Sequence, residues 1–468
     1  MPADESHALT TEDRVEAVTA QTGIPTEAPS YRRFSPRLTW LVDWATKGSL
    51  AVADQALFAG AQFALNIMLA RWLDPEEYGA FAVAYAVFLL VGAVHTAVLI
   101  EPMIVFGAAK YFANRKHYLC VVLRGHWLLA VPAGLILLGA GLFIARFYSR
   151  PVGQGLCGLA LALPFVLLSW LTRRAFYMEL KPGRAAAGGV VFFCALLTAV
   201  CWLRVMHALS PVSAILAMGV AGLLSAAVQL LWLRPRLFPA PDTLSSGEVA
   251  SEHWGYGRWA LAGVLPSWTL LNFYYLVLPV WIGLKEAGEL KAVMNLAMPA
   301  IHTLIAFGVL LIPLLVRHLE LGGPSLMQRT VRRVTAIFVA GSGAYLMALW
   351  IFRVQIMGLL YGGRYLKFSG LPVLLVGLTS VATALTVSFG GALRALERPD
   401  RVFWANVAAS VIAVSFGLLW VATWGVLGAA AGYLASYAVF AGALWLFYHK
   451  LRTSRDRGAD GLSADRSP

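Results

Sequence analysis

The chain is 468 residues long, 59% hydrophobic and only 13% charged, with apolar runs of membrane length recurring throughout. This balance excludes a soluble globular domain and implies a polytopic membrane protein. A net charge of +13 raises nucleic acid as a partner, but the charge is distributed by topology rather than gathered into one binding surface, which excludes it.

Residues 1–30 are rich in Glu, Asp, Thr, Ala and Pro with little apolar periodicity and read as a disordered tail. Tyr31 to Arg37 is basic, and Trp40 and Trp44 share a helical face beside Leu41, which predicts an interfacial helix leading into the first span. Region 1–47 has no apolar core followed by a small-residue cleavage site. No removable signal peptide is therefore expected, and the first span serves as its own insertion signal.

Twelve spans are predicted, near 48–70, 79–101, 125–147, 153–172, 186–207, 212–234, 259–283, 291–316, 334–354, 370–392, 402–423 and 427–448. With both termini in the cytoplasm, the inner segments hold 28 of the 37 Lys and Arg, and every one of them is basic. That is the positive-inside pattern. The other 9, Lys291 among them, fall outside or at outer helix ends. The charge thus reports topology and attraction to anionic membrane lipid.

The first two spans form a hairpin around Asp74, Pro75, Glu76 and Glu77. Asp is a good N-cap, Pro suits the first helical turn, and the acids face the positive end of the helix dipole. Gln55, Gln62 and Asn66 fall on one face of the first span; Tyr85, Phe88, Gly92 and His95 do so on the second. Such stripes avoid lipid and either glue helices together or line a wet cavity. Ser210 and Pro211 join spans five and six with another cap and first-turn proline. Cys120, Cys157, Cys194 and Cys201 show no metal spacing and read as small core residues.

Residues 235–257 are polar and carry Pro and Ser, which marks a cytoplasmic linker between a 48–234 lobe and a 258–448 lobe, with a cytoplasmic tail at 449–468. The second lobe echoes the first: AVHT at 93–96 has a counterpart in AIHT at 300–303, each in the second helix of its lobe. Trp268, Asn272, Tyr275 and Pro279 share a face of span seven, and Asn295, Pro299 and His302 share one of span eight. Prolines 266, 279 and 299 are expected to kink these helices, either against neighbours or beside a pathway. The expected fold is all-α, with about 12 transmembrane helices in two pseudo-symmetric six-helix lobes around a central cavity.

The hairpin LARWLDPEEYGAFAVAYA, the IEPM at 100–103, the TRRAFY at 172–177 and the LYGGRY at 360–365 resemble bacterial polysaccharide-export flippases of the Wzx type, in the multidrug, oligosaccharidyl-lipid and polysaccharide exporter superfamily. The resemblance covers residues 48–448. It implies an inner-membrane protein whose lobes open alternately to each side, with helices 1, 2, 7 and 8 lining the cavity. It also implies an undecaprenyl diphosphate oligosaccharide as cargo, and a polysaccharide polymerase and glycosyltransferases as partners.

A diphosphate calls for Arg, whose guanidinium binds phosphate oxygens in pairs. Arg71, at the outer end of span one, is either that group or a snorkelling interface residue. Arg258, at the inner mouth of span seven, either receives the diphosphate or anchors the helix. Trp268, Tyr275 and Tyr85, with Gln62, Asn66, Asn272 and Asn295, offer the aromatic and amide surface that sugars prefer, though for any single aromatic core packing is the better reading. Asp54 sits about two turns inside span one, where a charge costs ~2.5–3.5 kcal/mol, so it should be paired, solvated or protonated. With His95 and His302 it forms a hypothetical proton-coupling set. No cofactor is implied, and without a GxxxxGK[ST] sequence the chain itself is not expected to hydrolyse ATP or to be an enzyme. A cation-coupled multidrug exporter of the same superfamily is the nearest rival. A membrane glycosyltransferase or polymerase is disfavoured by short outer loops, the longest being about fifteen residues near 355–369.

Overall fold

The structure, a computed structural model, describes residues 36–235 and 244–464, with side chains from 48 to 451. The tail expected at 1–30 lies outside the described residues. All regular structure among the described residues is helical: α1 Pro36–Trp72, α2 Pro75–His95, α3 Glu101–Ala108, α4 Arg115–Phe147, α5 Arg150–Met178, α6 Pro182–Val205 and α7 Pro211–Leu233. After the undescribed residues come α8 Ser246–Trp281, α9 Leu284–Asn295, α10 Met298–Ile351, α11 Arg353–Tyr361, a short turn Leu366–Phe368, α12 Leu371–Ala395, α13 Pro399–Trp424 and α14 Val426–Ala464. Of the described residues, 36–46 belong to one compact unit and those from Lys47 onward to a second.

Eleven of these stretches are long and apolar enough to cross a membrane. One of them, α10, has 54 residues and would run about 80 Å if straight, against a hydrocarbon core of about 30 Å. It turns back at Gly322 and Gly323, where φ of +65° at Gly323 is open only to a residue without Cβ strain. α10 is therefore two spans, which brings the crossings to twelve. The second span shows a π-helical turn at Thr96–Ile100 before α3, and its counterpart in the other lobe breaks between α9 and α10. Pro299 thus opens a new helix at its first turn rather than kinking a continuous one.

Local chemistry sets the turns as expected. The Asp74 N–H donates to Glu77 Oε2 (3.4 Å), Pro75 opens α2, and Ser210 Oγ accepts from the Ser213 N–H (3.1 Å) ahead of Pro211. Within the first lobe α4 packs on α5, α5 on α7, and α6 on α7; in the second, α10 packs on α12, α12 on α14, and α13 on α14. The same pairing order in both halves is the pseudo-symmetry of the fold.

Three expectations change. The stretch expected as a linker is helical from Ser246, and this end of α8 is docked: His253 meets the Tyr118 hydroxyl (2.7 Å) and the Val98 carbonyl (3.2 Å). Lys110 bridges Glu248 (2.9 Å) and Glu252, and the two carboxylates hold its ammonium above the usual lysine range. The expected outer loop near 355–369 is α11 and a helical turn laid across the outer end. Cys194 and Cys201 are exposed on α6 instead of in the core, since in a bilayer the outer surface is itself apolar.

The lobes meet along α2 and α9 at the end that carries the hairpin turn at Asp74. A Cβ on Gly79 would lie 1.8 Å from the Leu284 carbonyl oxygen, and one on Gly288 would lie 2.2 Å from that of Pro75. Small residues let two backbones touch here. Residues 287–297 are all buried, whereas about half of the residues in 48–60 and 298–321 are exposed, and the Ser246 end of α8 meets the first lobe again at Tyr118, Val98 and Lys110. Gly288→Val should cost about 1 to 3 kcal/mol of stability, as overpacking does. It should also raise labelling of a cysteine at Tyr78 by a membrane-impermeant maleimide added from outside; thermal unfolding and labelling rates check both.

Candidate transport site between the lobes

The polar stripes converge on the outer closure. Gln62 Oε1 accepts from the Tyr85 hydroxyl (2.9 Å), and Asn66 Oδ1 accepts from the Tyr78 hydroxyl (3.2 Å) while its amide donates to the Gln62 carbonyl (2.7 Å). Asn295, on α9, donates to the Tyr78 hydroxyl (2.8 Å), so the chain Asn295, Tyr78, Asn66 crosses from one lobe to the other. From α8, Trp268 donates its indole N–H to the Ala86 carbonyl (2.8 Å) and Asn272 donates to the Trp268 carbonyl (3.3 Å). Tyr361, from α11, donates to the Ala292 carbonyl (2.8 Å).

At the centre of this cluster lies Lys291. Its side of α9 turns inward, and the residue is only 6% exposed although it carries a charge expected at an outer helix end. Its ammonium sits 4.8 Å from the centroid of Tyr85 and 5.0 Å from that of Tyr275, one ring from each lobe. Ring faces attract a cation but do not replace a counter-ion. No carboxylate pairs with it among the described residues. Neighbouring Glu289 accepts from Lys367 instead (2.6 Å).

Asp54 meets the expectation of a partner. Fully buried, it accepts from Arg173 (3.0 Å) and from the Tyr177 hydroxyl (2.6 Å) through Oδ2, and the guanidinium lies 4.4 Å from the Phe58 centroid. His95 contacts His126 (3.0 Å), and His302 is exposed on α10. The three residues grouped for proton coupling thus have three separate settings. Arg71 donates to the Leu359 carbonyl (2.8 Å) and Arg364 to that of Leu73, strapping α11 to the hairpin turn. Arg258 is exposed, 5.6 Å from the Trp259 centroid. A void of about 10 Å³ lies in the first lobe between Tyr85, Phe88 and Met218, at most the room of one water.

Sequence reasoning missed Lys291 and Arg173. A signal for the first existed: Lys291, Asn295 and His302 fall at i, i+4 and i+11, one helical face. Arg173 stands in the TRRAFY stretch, but nothing local paired it with Asp54, which lies 119 residues away.

Removing one member of a buried ion pair strands the other. Asp54→Asn should therefore cost about 3 to 5 kcal/mol, and Asp54→Leu combined with Arg173→Met should recover most of it. A double-mutant cycle on thermal or denaturant unfolding measures this.

No family model matches the chain, and no curated protein matches it. Solved structures do. A multidrug resistance MATE family transporter of the MOP superfamily, in its inward-facing conformation, superposes with a TM-score of 0.74 at 14% identity, covering 87% of this chain and 99% of that one. The outward-facing conformation of such a transporter gives 0.62 at 14% identity, over 88% and 97%. The lipid II flippase MurJ, inward closed, gives 0.66 at 10% identity, over 88% and 87%. The chain has the fold shared by these membrane transporters and flippases.

Proposed function

We propose that the protein flips a lipid-linked oligosaccharide, carried on an undecaprenyl diphosphate, across the bacterial inner membrane by alternating access, for export of a surface polysaccharide. The observation that carries this reading is Lys291: a buried cation between the lobes with two aromatic rings beside it and no carboxylate partner among the described residues. Such a group is short of an anion, and a diphosphate supplies one. Lysine binds phosphate as a point charge. A cationic drug would meet repulsion there, and the one deep acid of α1, Asp54, is already neutralised by Arg173.

In this reading the headgroup enters between the lobes from the cytosolic side. Bare hydrocarbon would strip water from its charges and hydroxyls, at several kcal/mol for each unsatisfied group. Lys291 offsets the charge, and Tyr85, Tyr275, Trp268, Asn272 and Asn295 offer rings and amides for sugars. Opening outward would separate Asn295 from Tyr78 and draw the Gly79 and Gly288 surfaces apart. The hydrophobic tail stays in lipid throughout. Arg258 at the inner mouth supplies a first electrostatic contact.

The multidrug reading draws on the likeness of fold to the MATE transporters, and the same experiment separates the two. Truncating one side of a buried charge pair costs about 2 kcal/mol or more, roughly thirtyfold in binding. Lys291→Gln should therefore make completed undecaprenyl-linked repeat units accumulate on the cytosolic leaflet, read by mass spectrometry with a leaflet-accessibility label, and Lys291→Arg should restore part of the flux. An unchanged lipid pool together with lowered tolerance of cationic drugs would favour drug export instead.

A further inference from the structure

A second cavity, away from the interface between the lobes, has its own chemistry. It encloses about 600 Å³ between the second half of α10, Phe389 of α12 and the end of α14. Along α10 its lining residues run from Ser325 to Val339, a helical face about 21 Å long at 1.5 Å per residue. The character of that face changes along its length. Ser325, Gln328, Arg329 and Arg332 come first, with Val331 between them, and the uncharged Thr335, Ala336 and Val339 follow.

The opposite wall repeats the gradient, with Trp445 one turn before His449 and its rings 5.6 Å from that imidazole. No acidic residue lines the cavity, and neither Arg329 nor Arg332 has a carboxylate partner among the described residues. Arg329 and Arg332 also belong to the basic segment expected on the cytosolic side, where anionic lipid concentrates basic groups at the membrane surface. The cavity therefore offers two unpaired guanidinium groups at one end and an apolar trough at the other.

We propose that this cavity is a binding site for an anionic glycerophospholipid of the inner leaflet, its phosphate held by Arg329 and Arg332 and an acyl chain lying along Ala336, Val339 and Trp445. A free anion would use only the polar end and a neutral lipid only the trough; the two together fit an amphiphile with a negative head. The site is separate from Lys291 and does not depend on the transport reading. By bracing the second half of α10 against α12 and α14, the lipid would hold the second lobe together.

The test uses the full chain, purified in detergent and stripped of lipid, with native mass spectrometry for retention and thermal unfolding for stabilisation. Phosphatidylglycerol should remain bound and raise the melting temperature, with phosphatidylethanolamine and inorganic phosphate each doing so far less. The R329Q/R332Q variant should unfold at the wild-type temperature without lipid yet retain at least tenfold less phosphatidylglycerol. Ala336→Trp, which fills the trough, should lose phosphatidylglycerol retention with both arginines in place. Retention unchanged in the double variant would overturn the proposal. So would equal retention of phosphatidylethanolamine, which marks unspecific annular lipid, or equal stabilisation by inorganic phosphate, which marks an anion site alone.

Discussion

The close passage of α2 over α9 is the contact on which the arrangement of the two lobes depends. Gly79 and Gly288 each leave room for the backbone of the other helix, and neither has space for a methyl group. That approach brings Asn295 within hydrogen-bonding distance of Tyr78 and sets Lys291 between Tyr85 and Tyr275. Because apolar side chains gain little from leaving lipid for one another, membrane helices hold together by close packing and polar bonds. Both meet at this contact. Beyond it the second span passes through a π-helical turn, and its counterpart in the other lobe breaks before α10.

The buried charges follow a single rule with one exception. A carboxylate or ammonium withdrawn from water needs an opposite charge and further hydrogen bonds to compensate for lost hydration. Asp54 has Arg173 and Tyr177, and Glu289 has Lys367. Lys291 has only ring faces. A buried cation without a counter-ion carries a desolvation cost that ring faces offset only in part.

Much of this architecture was legible in the chain. Apolar runs mark the crossings because a bilayer demands helices of a set length with every backbone group satisfied internally. The caps at Asp74 and Ser210, each followed by proline, are local chemistry and hold in the structure. The stripe of Gln62 and Asn66 identified a face that avoids lipid, yet left open whether it glued helices or lined a cavity; in this closed form it is bonded to Tyr85 and Tyr78. Less was legible where apolar and polar surroundings exchange roles. Cys194 and Cys201 fit a core by residue type, but a bilayer makes the exterior equally hospitable. The stretch from Ser246 reads as linker because its outward residues are polar, while Val249 and His253 on the other face dock it.

What the sequence by itself determined is therefore periodic or local: the class of fold, the number of crossings, the caps and turns, and the polar faces of individual helices. Only the tertiary structure decided which partners those faces meet. Arg173 finds Asp54 across 119 residues, Asn295 finds Tyr78 across 217, and Lys291 is buried because α2 and α8 each contribute a ring above it. Helical periodicity says which side of a helix a residue occupies, but the neighbour on that side belongs to another part of the chain. Pairing of charges across a membrane bundle is set by helix packing, which no single helix encodes.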